Sequence, residues 1–129
     1  MKKIVVSIQN GLLAEAVISM LKQSGEFEPY RVSPFGKTGD TVGDCETYAA
    51  DIALMEVSYG GGTTVEKRLK EVRELRRRVP KCKIVLLCDE NSAPDIAREV
   101  MLAKRDGLID NFFYSSVTAK YLLAALSSI

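Results

Sequence analysis

One carboxylate, Glu56, ends a short apolar run, Asp51-Ile-Ala-Leu-Met-Glu56, and a glycine-rich stretch, Val57-Ser-Tyr-Gly-Gly-Gly62, follows it. A strand that ends on an acid and opens through glycines into a helix puts that acid at the carboxyl edge of a sheet, where α/β proteins place their chemistry. What a glutamate can do there depends on its neighbours. Histidine is absent, which removes histidine-based triads, histidine metal sites and a histidine phosphocarrier. The three cysteines, Cys45, Cys82 and Cys88, show no metal-ligand spacing, and their odd number suits a reducing compartment. Cys88 ends another apolar run and reads either as a small apolar core residue or as a redox sensor. Gly60-Gly61-Gly62 could cradle an anion on backbone N–H groups. The alternative is a plain tight turn, since the stretch matches neither a P-loop nor a dinucleotide fingerprint.

The elements that must position Glu56 are legible from the pattern. Lys3 to Ile8 is a continuous β-branched run, as in a parallel strand buried on both faces. Leu12 to Ser24 is predicted helical, with Leu13, Ala16, Val17, Met20 and Leu21 on one face and Gly25 ending it. Glu28 to Ser33 reads as a more polar edge strand. Pro34 to Gly43 reads as a loop, followed by at most a short helix from about Val42 to Ala49. Thr63-x-x-Glu66 is a capping box opening a helix with Val65, Leu69, Val72, Leu75 and Val79 inward, and Pro80 closes it. Lys83 to Cys88 is another buried strand. Ser92-x-x-Asp95, with Pro94 in the first turn, opens a helix that carries Ile96, Val100 and Ala103 inward and ends near Gly107. Leu108 to Tyr114 is the fifth strand, and Ser116 is predicted to cap a last helix. Five strands alternating with five helices specify an α/β fold, a single doubly wound domain with a parallel sheet.

The 129 residues suit one domain with one core, and 47% hydrophobic with 27% charged residues is an ordinary globular composition. A net charge of +1 argues against direct nucleic-acid binding by this domain. No apolar run approaches the roughly 20 residues of a membrane helix, and the start lacks a signal-peptide core, so the expected location is cytoplasmic with no membrane contact. The helix from Thr64 to Val79 carries Lys67, Arg68, Lys70, Arg73, Arg76, Arg77 and Arg78. These read as a solvated face, or as a docking surface for an acidic partner.

The chain resembles response-regulator receiver domains, the CheY-like family. The resemblance runs over nearly the whole length: Lys3 to Leu21 follows the family's first strand and helix, Asp51 to Glu56 its third strand, and Lys83 to Cys88 its fourth. Asn111-Phe-Phe-Tyr-Ser-Ser to Leu126 follows its fifth strand and last helix. It implies a flavodoxin-like sheet of order 2-1-3-4-5. It also implies a degenerate, pseudo-receiver pocket. The family's two metal-holding acids fall on Ile8 and Gln9, its phosphoacceptor aspartate on Glu56, its Thr/Ser on Cys88 and its lysine on Ser115. The aromatic switch position is kept as Phe112.

Phosphoryl transfer is mostly positioning plus charge neutralisation by metal and cations. Without the acids and the lysine, the expectation is no catalytic residue, no tight Mg²⁺, no cofactor and no autophosphorylation. Glu56 is then an activation mimic or a solvated carboxylate. The expected role is a two-component signalling module acting by protein contact, as a homodimer or with a protein partner. In the family such contacts use the fourth helix, fifth strand and fifth helix, here including Arg98, Lys104, Arg105, Lys120 and Tyr121. Regulation of transcription would fall to a separate DNA-binding domain or partner. Residues 1–129 are then one receiver-like domain, either the N-terminal part of a longer regulator or free-standing. The alternatives are a phosphorylatable receiver using Glu56 and a flavodoxin-like small-ligand binder.

Overall fold

The computed structural model describes residues 1–32, 40–58, 64–88 and 94–129. Its strands are β1 (Lys2–Ser7), β2 (Phe27–Val32), β3 (Ile52–Val57), β4 (Lys83–Cys88) and β5 (Asn111–Tyr114). Between and after them run α1 (Gly11–Ser24), α2 (Thr41–Tyr48), α3 (Val65–Arg78), α4 (Pro94–Arg105) and α5 (Ala119–Ser127). All pairings are parallel and the sheet order is β2-β1-β3-β4-β5. This is the flavodoxin-like arrangement of five strands and five helices that the sequence implies. Among the described residues, no helix is long and apolar enough to cross a membrane.

The alternation along each strand sends side chains to two separate cores. Ile4, Val6, Ile52, Leu54, Val85 and Leu87 pack with Val17 and Leu21 of α1 and Leu122 and Leu126 of α5. Val5, Ala53, Met55, Ile84, Leu86 and Cys88 pack with Cys45 of α2, Val72 and Leu75 of α3 and Val100 of α4. Burial on both faces is why these strands read as unbroken apolar runs.

The short second helix is real, and its N-cap explains it: Asp40 accepts from the Gly43 N–H at 3.0 Å. A Cβ at 43 would collide with the Asp40 carboxylate, so any other residue there would displace the capping side chain. Helix α1 starts one residue earlier than the pattern suggests, because Asn10 caps it by accepting from Leu13 N–H at 3.1 Å. Gly25 ends it at φ 70°.

Other boundaries also differ from the sequence reading. Helix α3 is capped by Thr64, whose hydroxyl accepts from Lys67 N–H, and not by Thr63, which lies outside the described residues. The Ser92 capping box and Gly60 to Gly62 also lie outside them. Strand β5 begins at Asn111, because Leu108 N–H still bonds back to Ala103 O as α4 closes over Gly107 at φ 79°. The cap of α5 is Thr118, accepting from Tyr121 N–H at 3.2 Å, and not Ser116. A turn with Val117 N–H on Tyr114 O carries the chain past Ser116 first.

Candidate functional site at the carboxyl edge of the sheet

Strands β1 and β3 end side by side, with Ser7 opposite Met55. One step further, Gln9 N–H donates to Glu56 Oε1 at 3.2 Å. Glu56 is half-buried and lines a cleft of about 250 Å³ with Asn10, Leu13, Ser58, Leu87 and Ser115. Of these lining residues Glu56 alone is ionisable. Ser115 reaches the cleft because its N–H bonds Cys88 O at 2.8 Å and extends the β4–β5 ladder by one residue.

Of the residues singled out in the sequence, Glu56 and Ser115 thus share one cleft, and Gln9 meets it through its backbone. Ile8 is fully buried in the core beneath α1 and α5. Cys88 is buried on the opposite face, where burial pushes its thiol up to about 11. At neutral pH it is a thiol, the less reactive form. Phe112 packs half-buried on that same face, its ring edge-on to Tyr114 at 6.1 Å and beneath Lys104 Nζ at 5.7 Å.

Arg68 corrects the sequence reading. The pattern places it with the α3 cations of a solvated face or docking surface, yet it is fully buried. Its Nε donates to Glu56 O at 2.6 Å, Nη2 to Ser7 O at 2.8 Å, and Nη1 to Ser7 Oγ at 3.1 Å and Glu71 Oε1 at 3.2 Å. Ser7 Oγ in turn shares a hydrogen bond with Thr41 Oγ1 at 2.8 Å. Burial lowers the guanidinium pKa while Glu71 opposes the shift, and an arginine so placed stays charged. The signal was present in the spacing. Val65, Arg68, Val72, Leu75 and Val79 follow a three-four repeat, and Arg68 occupies an inward position of that stripe.

Two further arginines of α3 leave solvent in part. Arg76 donates to Leu108 O at 3.0 Å and pairs with Asp110 at 3.0 Å, and Asp110 also accepts from Ile84 N–H at 2.7 Å. Arg78 pairs with Glu46 of α2 at 2.8 Å. Away from the cleft, Met101 of α4, Tyr114 of β5 and Tyr121 of α5 are exposed, at 57%, 40% and 61%. Arg98, Lys104, Arg105 and Lys120 are exposed on the same elements.

No family model matches the chain, and no curated protein matches it in sequence. Solved structures do match in fold. The signal receiver domain of NarL from Mycobacterium tuberculosis superposes with a TM-score of 0.74 at 15% identity, over 98% of this chain and 94% of that one. The isolated REC domain of RcsB from Salmonella enterica serovar Typhimurium gives 0.71 at 12%, over 98% and 86%. A two-component response regulator from Cytophaga hutchinsonii gives 0.70 at 12%, over 99% and 96%. The fold is that of response-regulator receiver domains.

Proposed function

We propose that this chain is a receiver-fold signalling module that has lost phosphoacceptor chemistry and works through protein contact, not as an enzyme. The observation that carries the reading is the donor set of the cleft: among the described residues that line it, one carboxylate stands among neutral side chains. Mg²⁺ needs near-octahedral oxygen ligands, usually with one or two carboxylates beside substrate oxygens. Here a buried Ile8 follows β1, and Gln9 presents an N–H that already donates to the Glu56 carboxylate. That set does not fit the ion. Ser115 stands where a lysine would neutralise the phosphoryl group, and a hydroxyl carries no charge.

Output in this reading uses α4, β5 and α5. Met101, Tyr114 and Tyr121 supply exposed apolar surface, and Arg98, Lys104, Arg105 and Lys120 supply a basic rim. The occupant is a second copy of the chain or a protein partner. Control of transcription would belong to a DNA-binding domain or partner, since this domain is close to neutral. The relevant compartment is the cytoplasm.

The test is an amide NMR spectrum with and without Mg²⁺ plus beryllofluoride, a phosphoryl mimic. The expected result is no shift at Glu56, Cys88 or Ser115. Saturable shifts spreading from Glu56 to Phe112 would overturn the reading in favour of a phosphorylatable Glu56.

A further inference from the structure

The cleft at Glu56 adjoins a second space. Leu13, Leu87 and Ser115 line both the cleft and an apolar cavity of about 120 Å³ between α1 and the start of α5. The cavity wall is Ala16, Val17 and Met20 on one side and Val117 and Leu122 on the other. An apolar space of that kind favours an apolar guest over water. It is somewhat smaller than the roughly 150 Å³ apolar cavity that takes a six-carbon benzene, so it has room for about four or five carbons.

Charge selects the other end of the guest. Glu56 Oε1 takes the Gln9 N–H, and Oε2 has no partner among the described residues. Arg68 lies on the main-chain side of Glu56, but its N–H groups are directed to Ser7, to the Glu56 carbonyl and to Glu71, whose carboxylate offsets its charge. The Glu56 carboxylate, though it also feels the Arg68 charge, faces the cleft that Ser115 lines too. A carboxylate suits an ammonium, a compact cation with donors and no acceptor.

We propose that the cleft and the cavity together bind a small aliphatic amine, its ammonium on Glu56 and its tail of about four carbons between α1 and α5. The inference rests on the loss of phosphoryl chemistry proposed above and names what the site takes instead. A guest there touches α1, β3 and α5 at once, so it couples the strand edge to a helix of the proposed output surface.

The test is an NMR titration of the whole chain, free of Mg²⁺, with ethyl-, propyl-, butyl- and hexylammonium chloride. Butanol and butyrate are the controls. Saturable amide shifts are expected at Gln9, Glu56 and Ser115, reaching Val117. Affinity should tighten about fourfold per methylene up to butyl, the factor expected for burying one CH₂, and then level off. Glu56→Gln should weaken butylammonium at least about tenfold, as for loss of a charge-assisted hydrogen bond. Ala16 is exposed on α1, so Ala16→Phe can fill the cavity mouth without disturbing the core, and it should abolish the chain-length dependence. Equal binding of butanol and butylammonium, or no saturable shift with any amine, would overturn the proposal. Beryllofluoride in a parallel tube separates the two readings. Shifts with it overturn the functional proposal, whereas silence from both beryllofluoride and the amines overturns the ligand alone.

Discussion

Replacing Arg68 with methionine removes the guanidinium and keeps most of the side-chain volume. The buried carbonyls of Ser7 and Glu56 lose charge-assisted donors at 2.8 and 2.6 Å, and Ser7 Oγ loses one at 3.1 Å. A hydrogen bond to a charged group is worth about 1.5–3 kcal/mol, so the two carbonyl bonds alone come to roughly 3–6. Relief of the guanidinium's own desolvation offsets part of that, since exchanging a buried ion for a well-packed apolar group can be close to neutral. The two effects balance differently here because the partners are backbone carbonyls, which stay buried after the change, and because Glu71 keeps its charge. The expected net loss is about 4 kcal/mol, a large share of the roughly 5–15 available to a domain. In urea, with a slope of about 2 kcal/mol/M, the midpoint should fall by about 2 M with the slope unchanged. Arg68→Lys should recover only part, because one ammonium cannot reproduce the planar fork. A midpoint for Arg68→Met within about 0.5 M of the parent would refute this reasoning, showing the buried cation to be energetically neutral.

Two other outcomes follow from local features. The Cys88 thiol ionises near 9.0 in an unfolded chain and at about 11 when buried. As pH rises past 9 the unfolded state therefore loses its proton first, and stability should fall between pH 9 and 11, by at most about 3 kcal/mol from this group. Cys88→Val should flatten that part of a pH series of urea midpoints; an unchanged alkaline slope would contradict the assignment. Ala49, which ends α2, sits at φ 51° and ψ 54°. A left-handed conformation costs an L-residue about 1–2 kcal/mol, more than the roughly 0.5–1 that glycine loses in chain entropy. Ala49→Gly should thus raise the thermal midpoint by about 2–4 °C, and a drop would show that the neighbourhood holds Ala49 without strain.

The strands were legible because burial on both faces leaves a simple signature. Lys83 to Cys88 matches its observed span to the residue, Lys3 to Ile8 sits one residue late, and the expected start at Glu28 falls one residue after that of β2. Helix stops at Gly25 and Gly107 were legible because both adopt positive φ. The cap of α5 was not. Ser115, Ser116 and Thr118 all have capping side chains, and the choice falls to the turn that closes on Tyr114 O, a backbone event with no residue signature. In the site, the meeting of Glu56 and Ser115 spans three strands, and only the resemblance to receiver domains placed them together. Arg68 was missed for another reason. A charged residue in an inward position is read as solvated unless its partners are known, and two of these are main-chain carbonyls, which every residue has.

The sheet divides the interior into two cores that, among the described residues, share no buried side chain. Energetic bookkeeping across it should therefore be nearly additive, since distant substitutions without shared partners do not couple. Glu56 is the exception built into that partition. Its carboxylate opens to the cleft beside Leu13 and Leu87 of one layer, while its carbonyl is gripped by an arginine from the other. A double-mutant cycle between Ala16 and Arg68 would read the leak through that single residue, and so whether the two halves of the domain behave as one thermodynamic unit or two.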